Sequence, residues 1–348
     1  MATVRAPSSW VRRTGWEYLP RVREAAVDVA TPALLCVLLL IILGFRFPQL
    51  YSSNGLAGAI TASAPLILSV LAMTSIAISS PGGIDLSIGP FVAFVNVGIV
   101  HWLVPHGLGN PLYVFAYAIG VGIAFQMIQG LLIGLLRLQP VIVTLSGYLV
   151  FSGLNLVVLP NPEGTIPHWL NDWGAATSVN TPELYLLIGC FVLWGFFART
   201  TFARNIRLVG GNDKTAWVSG LNPVLVRLGA HIVAGVFVGL AGITLTALLQ
   251  SADPTQGAAQ TLMAVTALVV GGVSLSGGRG RALGAVLGAI AIFLIGYVIG
   301  TLNLGTSESF VSGLIYGAVL IIALFIGSIT GSALGVRKRA AISTEVSQ

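Results

Sequence analysis

Charged side chains are scarce in this chain of 348 residues, where Asp, Glu, Lys and Arg together make up 8%. A soluble globular domain carries about 25% charged residues. With 55% hydrophobic residues and a mean hydropathy of +0.93, the chain lacks the polar surface that a soluble domain needs. The composition therefore predicts an all-α, polytopic membrane protein whose outer surface faces lipid.

Residues that carry catalysis are also few. The two cysteines, Cys36 and Cys190, lie in apolar runs and are interpreted as small core residues. Neither lysine, Lys214 or Lys338, follows the glycine that a phosphate-binding loop requires. The four histidines have no Cys or carboxylate companions at ligand spacing, so no metal site is predicted. We therefore expect no catalytic residues and no cofactor on this chain, and any ATP hydrolysis that drives it would belong to another chain.

Ten apolar windows are long enough to cross a bilayer. They lie at about 30–47, 62–79, 86–104, 112–136, 141–159, 183–198, 229–249, 258–276, 282–302 and 309–328. Ten crossings put both termini on one side, and every Lys and Arg except Arg46 then falls on that side, which is predicted to be cytoplasmic. The net charge of +6 is explained by these orientation charges, so we expect membrane lipid and no nucleic acid as a partner.

Three regions follow from this topology. Residues 1–29 form a basic, aromatic leader that is predicted to be a short interfacial helix on the cytoplasmic face. Residues 30–330 form the transmembrane domain, and 331–348 form a cytoplasmic tail. The outer loop from Pro160 to Pro182 contains prolines that predict no regular helix running through it. Its tryptophans, Trp169 and Trp173, are interpreted as membrane-surface residues, and the alternative is that they contact an external partner.

The longest polar interval lies at about residues 199–228, between two hydrophobic runs. Its basic residues are Arg199, Arg204, Arg207, Lys214 and Arg227. A basic insert on the cytoplasmic side of a lipid-embedded chain indicates a surface for a cytoplasmic partner.

Polar side chains fall on the predicted third, fourth and fifth spans. Such residues usually form hydrogen bonds between helices, and the alternative is that they line a wet path for a polar solute. These candidate path residues are Asn96, Gln126, Gln129, Thr144, Tyr148, Ser152 and Asn155. The acid Asp85 lies at a break between two spans, where it is interpreted as capping a helix that begins at Leu86.

Three motifs match a known family. They are GGIDLSIG from Gly82 to Gly89, GGNDKTAWVSGLN from Gly210 to Asn222, and GGVSLSGGRG from Gly271 to Gly280. With these motifs, in this order and at these separations, the chain resembles the permease subunits of ribose-type ABC importers, and the resemblance runs from about residue 30 to 330. Two positions depart from the family pattern: the usual basic residue before Leu-Ser-Gly is absent, and Met263 stands where the family often has an acid.

The resemblance implies an importer of a small sugar or related polyol in the bacterial cytoplasmic (inner) membrane. It implies two permease copies, identical or related, two cytoplasmic ATPase subunits that bind ATP and Mg²⁺, and a periplasmic or lipid-anchored solute-binding protein. Asn212 to Asn222 takes the role of a coupling helix that docks in the ATPase. The coupling residues that it implies are Asn212, Lys214, Ala216, Trp217, Ser219 and Gly220. The matched motif positions are Gly82, Gly83, Asp85, Ser87, Gly271, Gly272, Gly277, Gly278, Arg279 and Gly280.

Other interpretations remain at this point. Without the motif, residues 212–222 would be taken as an ordinary interfacial loop with Trp217 in the lipid headgroups. The alternative function is a stand-alone secondary transporter or facilitator for a small polar solute. An integral-membrane enzyme is disfavoured, because no catalytic constellation is present.

Overall fold

The computed structural model describes residues 18–175 and 177–326, and their regular structure is helical. The first helices are α1 (Tyr18–Arg46), α2 (Ser53–Ser79), α3 (Ile88–Val97, continued by a π-helical turn at Gly98–Leu103), α4 (Pro111–Gly134), α5 (Pro140–Val158) and α6 (His168–Gly174). They are followed by α7 (Pro182–Arg199), α8 (Thr201–Gly211), α9 (Asp213–Val218), α10 (Pro223–Leu249), α11 (Gly257–Val270), α12 (Ala282–Gly300) and α13 (Gly305–Ile326). Within the described residues the extended pairing is a single isolated bridge, between Glu163 and Ala252.

Ten of these helices coincide with the ten predicted spans, and the all-α membrane fold is confirmed. In the described part of the chain, eight are long and apolar enough to cross a bilayer. The other two, α3 with its π-helical extension and α11, are shorter. The 14 residues of α11 rise roughly 21 Å, less than the ~30 Å hydrocarbon thickness. Each short helix follows a non-helical segment, at 80–87 and 250–256.

Several predicted ends were wrong because hydropathy does not register helix caps. Ser52 caps α2 by accepting a hydrogen bond from Gly55 N, so the helix begins at Ser53, nine residues before the predicted start at about 62. Asn222 caps α10 in the same way, with Pro223 at the first position. The predicted leader is not separate over its last residues, because 18–29 belong to α1. Residues 1–17 and the predicted tail at 331–348 lie outside the described residues.

The outer loop contains a helix that the prolines do not prevent. Pro167 immediately precedes α6, where a proline is tolerated because no intrahelical donor is lost. The Trp169 indole donates to Gly109 O at 2.8 Å, and its ring packs at 5.3 Å against Trp173. Both tryptophans are partly buried against the protein core, and their position at the membrane surface stays a prediction.

The antiparallel pair α2 and α10 forms the centre of the molecule. Ser75 Oγ on α2 donates to Ala230 O on α10, and most of both helices is buried. Helix α10 also packs against α4, where Gly122 faces Gly235 with no room for a side chain. A Cβ atom added to Gly239 would collide with the backbone of Ala118 in the same way. These glycines let the helix backbones touch, which strengthens dispersion packing in lipid.

A local motif occurs twice, at the start of each short helix. Asp85 Oδ1 accepts from Ser87 N and Oγ at 2.9 and 2.5 Å, and Asp253 Oδ1 accepts from Thr255 N and Oγ1 at 2.8 and 2.7 Å. In sequence these are DLSIG at 85–89 and DPTQG at 253–257. Gly89 and the glycine that ends the second copy are in backbone contact, so the two short helices begin beside each other. The helices before them, α2 and α10, have 27 residues each and run in opposite directions, which indicates an inverted internal repeat.

Two glycines of α4 give a matched test of the α4–α10 seam. Gly122→Leu should lower the thermal stability of the detergent-solubilised protein, since overpacking a tight contact costs about 1–3 kcal/mol. Gly120→Leu is the control, because a Cβ atom at Gly120 meets nothing within 4 Å. Melting is followed by fluorescence-detected size exclusion after heating. Equal midpoints for the two variants would contradict the seam.

Candidate functional site

The polar interval at 199–228 folds into two short helices and not into a loop. Thr200 caps α8 by accepting from Ala203 N at 3.2 Å, and Asn212 caps α9 by accepting from Thr215 N at 3.1 Å. Gly220, at φ +82°, ends the second helix, because that backbone conformation favours glycine. Asn212 and Gly220 therefore position α9 from its two ends.

Helix α9 presents most of the predicted coupling residues to the outside. Trp217 is 65% exposed and Val218 87% exposed, and Lys214, Ser219 and Gly220 are also exposed. Ala216 differs, because it is buried against the core and anchors the helix. A projecting tryptophan on a small polar helix has the character of an interface anchor.

An ion pair attaches α9 to the membrane domain. Arg227 Nη2 lies 2.6 Å from Asp213 Oδ1, with the Arg227 side chain 14% and the Asp213 side chain 47% exposed. Arg227 Nε also donates to Ser79 O, at the end of α2, at 3.4 Å. The sequence showed Arg227 only as one of several basic residues. Its partner lies 14 residues away across a helix break, a spacing without a simple periodic signal.

The three sequence motifs meet at the C-terminal end of α2. Gly82 N donates to Leu275 O at 2.8 Å, and Gly278 N donates to Ile78 O at 2.9 Å, which joins the first and third motifs. Gly210, from the second motif, contacts Ile78 O so closely that a Cβ atom there would collide with it. A Cβ atom on Gly278 would lie 2.9 Å from the backbone of residue 211. Glycines are required here because three backbones approach each other directly.

The remaining motif glycines shape the two loops. Gly83 and Gly271 lack space for a side chain, since a Cβ atom would approach Ile76 O at 2.7 Å and the backbone of residue 285 at 2.6 Å. Positive φ angles occur at Gly82, Gly272, Gly277, Gly278 and Gly280. Arg279 contributes its carbonyl, which accepts from Ser274 N at 3.1 Å and closes the third-motif loop.

Asp85 is buried in a polar cluster inside the membrane domain. Its Oδ2 accepts from Gln126 Nε2 at 2.5 Å, and its Oδ1 accepts from both donors of Ser87. Gln129 Nε2 donates to Ser87 Oγ at 2.8 Å. The expectation that Asp85 caps a helix beginning at Leu86 was wrong, because α3 begins at Ile88 and the carboxylate instead holds the turn before it.

His231 joins this cluster from α10. Its Nδ1 lies 2.8 Å from Gln126 Oε1, and the histidine side chain is buried. In the sequence His231 lacks metal-ligand companions, so it was not predicted to be a site residue. Its role depends on a helix pairing that a single sequence does not reveal. Among residues 18–175 and 177–326, no three His, Cys, Asp or Glu side chains are grouped as a metal site would require.

The candidate path residues differ in exposure. Asn96, Gln126, Gln129, Thr144 and Asn155 are buried, whereas Tyr148 and Ser152 on α5 are partly exposed. Thr144 Oγ1 donates to Ile84 O at 3.0 Å, and Asn155 Nδ2 donates to Pro90 O at 2.9 Å. Helix α5 is therefore bonded both to the 80–87 segment and to α3. Asn96 holds the 250–256 segment, donating to Ser251 O at 2.9 Å and accepting from Asp253 N at 3.0 Å.

Asp253 lies in the 250–256 segment, between α10 and α11. Burial alone would raise the pKa of Asp253, but hydrogen bonds from Gln256 and Thr255 outweigh it and hold the pKa below its usual value. The carboxylate is therefore ionised at neutral pH. Because its folded pKa is depressed, its contribution to stability is present above the unfolded pKa and is lost as the pH falls through the folded one.

Two buried amide oxygens have no hydrogen-bond partner among the described residues, Gln129 Oε1 and Asn155 Oδ1. Both amides face the α3 region. Gln129 of α4 packs beside Gly147 of α5, and Asn155 lies about two turns further along α5. Phe91, Phe125 and Phe151 pack between these levels, with ring centroids 4.3–4.9 Å apart. Unsatisfied buried acceptors cost about 1–3 kcal/mol each, so they are positions where a donor would bind favourably.

Comparison with known proteins identifies the family. Residues 55–324 match the family described as branched-chain amino acid transport system / permease component. The chain belongs to this permease family. It is 33% identical over 254 residues to the ribose import permease protein RbsC of Bacillus subtilis, covering 70% of this chain and 76% of that one.

Two further relatives are similar. The Escherichia coli K12 ribose import permease protein RbsC is 29% identical over 302 residues, covering 84% of this chain and 92% of its own. The D-allose transport system permease protein AlsC of the same strain is 30% identical over 249 residues, 70% of this chain and 74% of that one. No solved structure matches the chain. This permease is a multi-pass protein of the bacterial inner membrane, and its family consists of transport subunits.

Removing Gln126 tests the buried cluster. Gln126→Leu leaves Asp85 Oδ2 without its donor and His231 Nδ1 without its acceptor, so the permease should lose about 1–3 kcal/mol of stability per stranded group. Met127→Leu is the control, because that neighbouring side chain is exposed. Thermal midpoints in detergent report the difference. A midpoint for Gln126→Leu that equals the control would show that the cluster does not stabilise the fold.

Proposed function

We propose that this permease is the membrane subunit of an ATP-binding-cassette importer for a small sugar or related polyol. The observation that carries the proposal is the exposed helix α9, which projects from the point where all three family motifs meet. The relatives named for ribose and D-allose support a sugar as the solute.

The proposed coupling surface consists of α9 and its caps. Lys214, Trp217 and Ser219 form its outer face, Ala216 fixes it to the core, and Asn212 and Gly220 define its ends. A cytoplasmic ATPase subunit would receive Trp217 in a groove, and ATP and Mg²⁺ would be bound on that subunit. Binding of ATP there moves α9, and the membrane helices then switch access between the two sides.

Two further partners belong to the proposal. A second permease copy, identical or related, would cover part of the exposed apolar surface on α1, α5 or α13, while lipid covers the rest. A periplasmic or lipid-anchored binding protein would deliver the solute to the outer face, where α6 and the 250–256 segment lie.

The proposed solute path runs beside α5. Sugar hydroxyl groups are hydrogen-bond donors, and Gln129 Oε1 and Asn155 Oδ1 are buried acceptors that lack a partner among the described residues. Movement of α5 away from α3 would open both to a solute, with the phenylalanine rings between them. Tyr148 and Ser152 extend the same side of α5 toward its partly exposed surface.

A stand-alone transporter is the alternative function. It would move solute across proteoliposomes that contain only this chain, with no ATPase and no binding protein. Flux that requires the other two components supports the importer, and flux from the chain alone overturns it.

Trp217 gives a direct test of the coupling surface. Trp217→Asp should abolish ATPase co-purification and uptake, because a carboxylate replaces the apolar anchor, while membrane insertion stays intact. Gly220→Trp should act likewise, since its positive φ disfavours any side chain. Trp217→Phe keeps an aromatic anchor and serves as the control. Normal uptake by both disruptive variants would remove α9 from the coupling role.

Cysteine labelling tests the path. In a chain whose two native cysteines are replaced, Ser152→Cys and Asn155→Cys should react with small polar thiol reagents, and Asn155→Cys only in the transport state in which α5 has moved, since it is buried here. Leu154→Cys, on the exposed apolar side, is the lipid-facing control. If both test positions stay inert in every nucleotide state, the path lies elsewhere.

A further inference from the structure

Arg227 stands between the proposed coupling helix and the membrane core. It forms the ion pair with Asp213 of α9 at 2.6 Å and donates to Ser79 O at the end of α2. Arg227 belongs to α10, near its beginning, and the arginine side chain is mostly buried. Any displacement of α9 therefore acts on a side chain that is fixed to both central helices.

One turn further along α10, the same helix face carries His231. Its Nδ1 lies 2.8 Å from Gln126 Oε1, while Gln126 Nε2 lies 2.5 Å from Asp85 Oδ2. Gln126 Nε2 faces the Asp85 carboxyl group and Gln126 Oε1 faces His231, so the His231 Nδ1–H donates to the amide oxygen. The hydrogen bonds therefore run in one direction, from His231 through Gln126 to Asp85.

From Asp85 the contacts continue to the helix that borders the proposed path. Ser87 donates to Asp85 Oδ1, and Gln129 Nε2 donates to Ser87 Oγ at 2.8 Å. In the same segment Ile84 O accepts from Thr144 Oγ1 of α5 at 3.0 Å. The 84–87 segment is thus bonded to α4 and α5 simultaneously.

We propose that Arg227 and Asp85 are positioning residues in a coupling relay from α9 to α5. The relay runs through Asp213, Arg227, His231, Gln126 and Asp85 to the 84–87 segment. It rests on the proposed function, because it assigns a transmission route to the surface that the ATPase would move. Asp213 lies within the second motif and Asp85 within the first, whereas Arg227 and His231 lie outside all three motifs, so the motifs alone do not give this route.

Close packing gives the relay its stiffness. A Cβ atom on Gly130 would lie 3.1 Å from the His231 ring, so His231 cannot shift sideways without moving α4. Ser75 Oγ ties the adjacent turn of α10 to α2 at Ala230 O. Packed elements of this kind transmit displacement as discrete changes of arrangement and not by gradual deformation.

The test measures transmission directly. The native cysteines Cys36 and Cys190 are replaced by alanine, and Ser152→Cys on α5 is the reporter. The permease is reconstituted with its cognate ATPase subunit and solute-binding protein, and the rate of thiol modification is compared with and without vanadate-trapped ATP. In this background the nucleotide should change the rate.

In the same background, Arg227→Met should reduce the nucleotide-dependent rate change by about fivefold or more, a typical coupling between sites. ATPase co-purification should stay unchanged, because the outer face of α9 is intact. Arg227→Lys should retain the response, as it can still pair with Asp213. Arg204→Met, at an exposed arginine of α8, controls for loss of positive charge.

A second variant separates transmission from folding. Asp213→Asn removes the charge at the half-exposed end of the ion pair, and it should reduce the response as Arg227→Met does. The double variant should lose no more than either single one, because both break the same link. Additive losses, or a full response in Arg227→Met and Asp213→Asn, would overturn the relay.

The proposed function fails differently. If the reporter permease with all relay residues intact does not co-purify with the ATPase, the importer assignment itself is wrong. If it co-purifies and responds to nucleotide while Arg227→Met responds equally, only the relay is wrong.

Discussion

The structure depends on one constraint, that polar groups inside the membrane must find partners within the protein. The non-helical segment at 80–87 breaks a span, and its backbone and the Asp85 carboxylate would be costly in hydrocarbon without compensation. Three donors converge on Asp85 from Ser87 and Gln126, and the loop backbone is bonded to Leu275 and to α5. A break of this kind is tolerated because α2, α4, α5 and α10 enclose it.

Glycine makes that enclosure possible. Gly210 and Gly278 let two cytoplasmic segments approach the end of α2 at backbone distance, and Gly122 and Gly235 do the same for α4 and α10. Gly147 of α5 likewise leaves room for Ser87 and Gln129, since a Cβ atom there would lie 2.9 Å from Gln129 Nε2 and 3.0 Å from Ser87 Cβ. The family motifs are thus rich in glycine for a packing reason, and the polar cluster follows from the packing.

Much of this could be predicted from the sequence, because lipid imposes simple rules. Ten apolar windows located ten helices, and the three motifs located the place where distant segments of the chain contact each other. The helix starts at Ser53 and Pro223 were missed, since capping residues are polar and lower the local hydropathy. The link between Asp213 and Arg227, and that between Gln126 and His231, could not be predicted, because they join residues 14 and 105 positions apart through tertiary packing.

The two copies of the Asp-x-Ser/Thr-x-Gly turn differ in the groups that donate hydrogen bonds to their carboxylates, and this difference bears on the proposed coupling relay. Asp253, the outer copy, satisfies its carboxylate within its own loop, from Thr255 and Gln256. Asp85, the inner copy, instead draws its third donor from α4, and through Gln126 it is linked to α10. The backbone of the Asp253 turn is bonded to α3 through Asn96, whereas the Asp85 turn is bonded to α4 through Gln126 and Gln129 and to α5 through Thr144. This difference agrees with the proposed route through Asp85, because only the Asp85 carboxylate accepts a hydrogen bond from another helix that is itself linked to α10.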